Sequence, residues 1–219
     1  MIEQLAGELP LPQRLALAYA PKAVKEHWLS LLALDARLGA IVRQTKEPIL
    51  GQMRLAWWRE LIEKPERDRP GGDPLVGLLG CWRGEERALS RLVDGWEALL
   101  ASETLSADQI TAYAEARAEP YTALVRIGDA REREDAVRKA ATIWVLADLA
   151  SGLSDQSERE CALAVAGAVD RRYAVAVRSF RPLAVLAGLG ARALRRGGGA
   201  LLMGPTDLFA AARLGMIGR

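Results

Sequence analysis

"LLALDARLGAIVRQ", residues 31–44, is the stretch on which the reading of this chain turns. Leu31, Leu34, Leu38, Ile41 and Val42 recur at helical spacing and form one apolar stripe. Asp35 breaks it. At about 100° per residue, Leu31, Leu38 and Val42 lie on its side of the helix. A carboxylate on an apolar face is costly unless it is paired or hydrogen-bonded. Arg37 and Arg54 are the nearby candidates for a partner, which would make Asp35 half of a structural ion pair; the alternative is a residue facing an internal pocket. Gly39 costs roughly 1 kcal/mol relative to alanine inside a helix. With Ala40 it leaves a patch poor in side chains, and Arg43 follows about two turns beyond Asp35.

The same period extends outward. Leu50, Met53, Trp57, Trp58 and Leu61 form a second stripe, and Leu89, Leu92, Val93, Trp96, Leu99 and Leu100 a third. Strand-like alternation is nearly absent. Pro48 starts the Trp57 helix. Ser106 with Gln109 forms a capping box opening a helix through Tyr113 and Tyr121. Ser157 with Glu160 forms another, opening an alanine-rich helix to about Phe180. "KPERDRPGGDP", 64–74, is a loop; "RRGGGA", 195–200, stops a helix, and Thr206 caps a last one. The expectation is one all-α domain spanning 1–219, a bundle of seven or eight helices.

Composition narrows the function. Half of the 219 residues are hydrophobic, and 30 basic residues balance 28 acidic ones at net +2, without the concentrated positive charge of a dedicated nucleic-acid surface. One histidine, His27, removes most histidine-based zinc and triad chemistry. Cys81 and Cys161 lie far apart and read as free thiols in a reducing cytosol. No secretory signal and no membrane span is expected, so membrane contact would be peripheral. No glycine-rich phosphate loop, GxSxG or CxxC is present.

In "MRLAWWREL", 53–61, the spacing places one tryptophan in the core and the other at a boundary with Arg54, favouring packing and a cation–π contact over nucleic-acid stacking. "REREDAVRK", 131–139, is a solvated helix start. Asp148, among Trp144, Val145 and Leu149, is a second carboxylate in apolar company, and Asp155 follows near the helix end. A carboxylate pair on one helix can hold magnesium against a diphosphate, but it needs an acidic cluster on a facing helix.

These segments together resemble the squalene/phytoene synthase family. The resemblance rests on "LLALDARLGAIVRQTKEPILGQMRLAWWRELI" (31–62), "LVDGWEALLASETLSADQITAYAEARAEP" (92–120), "AATIWVLADLASGLSD" (140–155) and "VRSFRPLAVLAGLGARAL" (177–194). It implies an isoprenoid-synthase-type helical bundle around a central cavity. In active members two aspartate-rich motifs hold magnesium against two prenyl diphosphates and join them head to head. Here the positions of the first motif fall on Gly39, Ala40 and Arg43, none of them acidic, and the second motif is reduced to Asp148 and Asp155. "TKEPILGQMRLAWWRE" is similar to text in a branch of the family that acts in assembly of respiratory complex I. The resemblance therefore implies a pseudoenzyme with no catalytic residue and no cofactor. Its cavity would be lined by Asp35, Gly39, Arg43, Trp57 and Asp148, and it would bind a partner protein or a hydrophobic or prenyl ligand. It would lie in the cytoplasm, peripheral to the inner membrane. The alternative is an active prenyl transferase of terpenoid biosynthesis, with magnesium on Asp148 and Asp155.

Overall fold

The period-3.6 stripes become helices whose apolar faces meet. The computed structural model describes residues 2–101, 104–128, 133–170, 175 and 177–218. Among them no strand occurs. The α-helices are α1 (Ile2–Gly7), α2 (Leu11–Leu17), α3 (Lys25–Gln44), α4 (Pro48–Glu63), α5 (Pro74–Leu78), α6 (Glu86–Ala98), α7 (Ala107–Ile127), α8 (Glu134–Gly152), α9 (Gln156–Ala168), α10 (Arg181–Arg195) and α11 (Pro205–Ile217). The excess over the expected seven or eight comes from the short α1, α2 and α5, too brief to show a period. One buried apolar cluster runs from Leu5 to Ala211. The main packing path goes from α4 through α6, α7, α8 and α10 to α11, while α3 touches α1, α2, α4, α5 and α6.

Local chemistry sets several boundaries as expected. Pro48 occupies the first turn of α4, where its missing N–H costs nothing. Ser106 and Gln109 cap α7 reciprocally. The 195–200 segment ends α10, with Gly197 and Gly198 at φ 86° and 75°. Other boundaries differ. Asp155, not Ser157, caps α9 by accepting from the Glu158 N–H at 3.0 Å. That helix ends at Ala168 rather than continuing to Phe180, and residues 171–174 and 176 of the expected helix lie outside the described residues. Gly204 precedes α11, which opens on Pro205 without a side-chain cap from Thr206.

The α4 stripe is rotated from its expected face. Gly51, Leu55, Trp58, Leu61 and Ile62 are buried, whereas Leu50, Met53 and Trp57 are exposed. Glycines set the closest approaches. A Cβ on Gly95 would stand 3.2 Å from the Tyr113 oxygen and the Arg117 nitrogen of the backbone, so α6 lies directly against α7. A Cβ on Gly190 would stand 3.1 Å from Ala147, bringing α10 equally near α8. The α7 and α8 helices also pack on one another.

Candidate functional site

Three helices bring charge into the core. Asp35, Gly39 and Arg43 follow one another at intervals of one turn on α3; Tyr113, Arg117 and Tyr121 do so on α7, and Trp144, Asp148 and Gly152 on α8. Arg117 is the centre. Its side chain and that of Asp35 are 1% and 0% exposed. Its Nε donates to Asp35 Oδ1 at 2.7 Å and its Nη2 to Asp35 Oδ2 at 2.6 Å, a two-pronged pair. The same Nη2 lies 2.6 Å from Asp148 Oδ2. Its Nη1 donates to the Tyr113 hydroxyl at 2.5 Å.

Aromatic rings enclose this cation. Trp96 of α6 donates its indole N–H to Asp35 Oδ1 at 2.8 Å. The Arg117 guanidinium lies 4.5 Å from the centroid of the Trp96 ring and 5.6 Å from that of Tyr113. The two rings meet edge to face at 5.4 Å. Trp144 donates to the Tyr121 hydroxyl at 3.0 Å. Burial works against the Arg117 charge, but the field of Asp35 first, then of Tyr113 and Asp148, outweighs it and holds the guanidinium well above the ordinary arginine range. Burial pushes the Tyr113 and Tyr121 phenols upward, so neither ionises near neutrality.

The expected partners of Asp35 are displaced by one 82 residues away in sequence. Arg37 instead pairs with Asp73 and Glu8 on the surface, and Arg54 is exposed. Gly39 is a packing glycine: a Cβ there would stand 2.8 Å from the edge of the Trp96 ring and 2.9 Å from an Arg43 nitrogen. Arg43 lies 5.8 Å from the Trp96 centroid at the mouth of the cluster. Trp57 does not join it. That residue is 49% exposed and stacks edge to face on Trp58, which is the buried member of the pair.

Two cavities flank Asp148. One of about 260 Å³ is bounded by Val42, Arg43, Trp96, Tyr113, Leu149 and Glu158 among others. The second, about 310 Å³, lies behind Pro10, Leu11, Gln13, Trp144, Leu201 and Leu202. Gln13 is 3% exposed, and its Oε1 has no hydrogen-bond partner. Both volumes sit near the lower end of the usual range for ligand sites, ~300–1,000 Å³. A larger depression, about 830 Å³, is open among the charged side chains of Glu63, Lys64, Arg67 and Arg83, away from this chemistry.

Magnesium does not fit this donor set. Both oxygens of Asp35 are taken by Arg117, and Trp96 shares one of them. Asp148 is taken by Arg117 as well, and Asp155 is occupied as the cap of α9. Among the described residues no group of three histidine, cysteine, aspartate or glutamate side chains is placed to hold a metal ion. The one histidine, His27, lies outside the cluster, with Nε2 3.0 Å from the Cys81 carbonyl. Both cysteines are free thiols.

Arg117 and Trp96 were legible in the sequence only as members of helices. The available signal was the spacing: an arginine in an alanine-rich run, one turn from a tyrosine on either side. Comparison with protein-family models, with curated proteins and with solved structures gave no match at a meaningful level.

Proposed function

We propose that this chain is a non-catalytic binding domain of the squalene/phytoene synthase-like type, an isoprenoid-synthase-like bundle that keeps a cavity and has lost its metal chemistry. The observation that carries this reading is the pairing of Asp35 and Asp148 with one buried arginine. A diphosphate-binding site needs carboxylates free to hold metal ions against the leaving group. Here the carboxylates neutralise a cation of the protein itself. Neither cavity beside Asp148 has room for two prenyl diphosphates side by side. The apolar walls and the unpartnered Gln13 oxygen suit one hydrophobic or prenyl-like molecule with a hydrogen-bond donor. A partner protein is the other occupant the resemblance implies, with assembly of a respiratory complex as its most specific form. The domain works in the cytoplasm, in peripheral contact with a membrane; among the described residues no helix is long and apolar enough to cross one.

Two measurements test this. Purified protein incubated with farnesyl or geranylgeranyl diphosphate and Mg²⁺ yields no coupled product above a heat-killed control; product formation would establish an active transferase and sink the proposal. Native mass spectrometry of the purified chain shows a co-purifying apolar small molecule. A chain that carries none, and is not stabilised by any prenyl alcohol, leaves the cavities without a role and refutes the ligand arm.

A further inference from the structure

The charges are balanced in number but not in place. Residues 171–219 carry nine arginines and one acid, Asp207, whereas residues 1–170 carry 21 basic and 27 acidic residues. Such asymmetry within one chain points to an anionic partner. The lone acid of the basic end does not offset it outwardly. Asp207 is 1% exposed and accepts from Arg192 Nε at 2.7 Å and Arg196 Nη1 at 3.0 Å. Arg178, Arg195 and Arg213 are exposed.

Helix α11 is the second observation. Asp207, Ala211 and Gly215 form its inward face, and Gly215 is so close to α2's end that a Cβ would meet the Tyr19 ring at 2.3 Å. At 100° per residue the opposite pole holds Phe209, Arg213 and Met216. Phe209 is 75% exposed and Met216 59%, and Leu208, Ile217 and the preceding Met203 are also exposed. A helix on a solvated surface normally turns mostly polar and charged residues outward; the outward pole of α11 carries one arginine, Arg213, beside the apolar Phe209 and Met216. At 13 residues it spans about 20 Å, too short to cross a bilayer, and the right shape to lie in its interface. Beside Phe209, Arg192 and Arg213 edge an open groove with Pro205 and Thr206.

We propose that α11 is an interfacial membrane-docking helix: Phe209, Met216, Leu208 and Met203 enter the headgroup boundary of an anionic bilayer while Arg213 and Arg195 meet its phosphates. Charge complementarity selects this occupant. The exposed apolar face of α4, with Ile49, Met53 and Trp57, has Glu47 and Glu60 beside it and carries no such bias. Leu201 and Leu202, which line the Gln13 pocket, lead through Met203 and Gly204 into α11. The docking gives a surface to the peripheral contact proposed above, but it stands on residues outside the Arg117 cluster.

The test is flotation of the full chain with vesicles of phosphatidylcholine alone and of phosphatidylcholine with phosphatidylglycerol. The chain floats with the second and not the first, and binding weakens as salt rises. Arg213→Gln and Arg195→Gln each weaken binding roughly fivefold. Phe209→Ser with Met216→Ser abolishes detectable flotation while the helical circular dichroism and melting temperature are unchanged. Absence of flotation with anionic vesicles overturns the proposal, as does flotation indifferent to these four substitutions. A dimer that dissolves in the Phe209→Ser/Met216→Ser variant, with no vesicle binding, overturns it too and assigns the face to a second copy. None of these outcomes bears on whether the cavities hold a ligand, which native mass spectrometry reads separately.

Discussion

Arg117→Met is the substitution on which the reading of the core depends. The native guanidinium makes two bonds to Asp35, one to Asp148 and one to the Tyr113 hydroxyl, and it is covered by the Trp96 and Tyr113 rings. Methionine fills much of the volume but leaves Asp35 and Asp148 facing each other without a cation. Removing one partner of a buried pair costs about 3–5 kcal/mol, because the remaining charge is uncompensated. For a domain of this size that lowers the melting temperature by roughly 10 °C. Urea unfolding followed by tryptophan fluorescence and by circular dichroism measures the loss. The triple variant Asp35→Asn/Arg117→Met/Asp148→Asn, which has no charge to strand, recovers most of the loss. A loss below about 1 kcal/mol would refute the claim that these carboxylates are held by one buried arginine.

Three further outcomes follow from the same geometry. Gly39→Ala gains about 1 kcal/mol of helix propensity but drives a methyl into the Trp96 ring, whose indole is pinned by Asp35; overpacking of ~1–3 kcal/mol makes the net change destabilising, and a raised urea midpoint would contradict the packing role. Gln13→Met removes a buried acceptor that has no donor and stabilises the ligand-free chain by about 1 kcal/mol, while weakening any prenyl alcohol seen in the cavity; a destabilised variant with unchanged ligand binding would show that the oxygen is not orphaned. Burial raises the Asp207 pKa, but the bonds from Arg192, Arg196 and the Met203 N–H outweigh this and depress it to about 2. A depressed folded value means stability that is present above the unfolded value, about 3.9, and lost as pH falls through 2. Amide exchange in α11 therefore accelerates across that window in the parent, and in Asp207→Asn it is already faster at pH 6; exchange insensitive to both changes would remove Asp207 as the anchor.

The helix period is legible in α3, α6, α7 and α8, whereas the alanine-rich α9 ends at Ala168, short of its expected length. The stripe of Leu89, Leu92, Val93, Trp96, Leu99 and Leu100 is buried over its first two turns, and its last two leucines are half-buried where α6 ends. The chemistry of single residues was also legible at the ends: Pro48 and the Ser106–Gln109 box act on their own immediate neighbours. The α4 face was misjudged because Leu50, Met53 and Trp57 are as apolar as the Gly51, Leu55, Trp58 and Ile62 set, and only the neighbouring helices choose between two such stripes. Gly188 and Gly190 break the weakly charged apolar run of residues 182–194 in the sequence. They lie within one continuous helix, where the missing side chains admit Leu214 and the α8 backbone.

By itself the sequence determined an all-α chain, the placement of Asp35 and Asp148 on apolar helix faces, and the absence of acidic residues at 39, 40 and 43. Those are properties of one segment at a time, set by backbone period and residue type. Only the tertiary structure decided what neutralises the two carboxylates. A long-range pair depends on three helices meeting at one point, and Arg117 lies far from both acids along the chain. Packing of α7 against α6 and α8 brings the Arg117 guanidinium within 2.6 Å of both Asp35 and Asp148. The same distinction holds for the charge asymmetry: the nine arginines are countable in the sequence, but that Asp207 is turned inward while Phe209 and Arg213 face out is a matter of how α11 packs on α10.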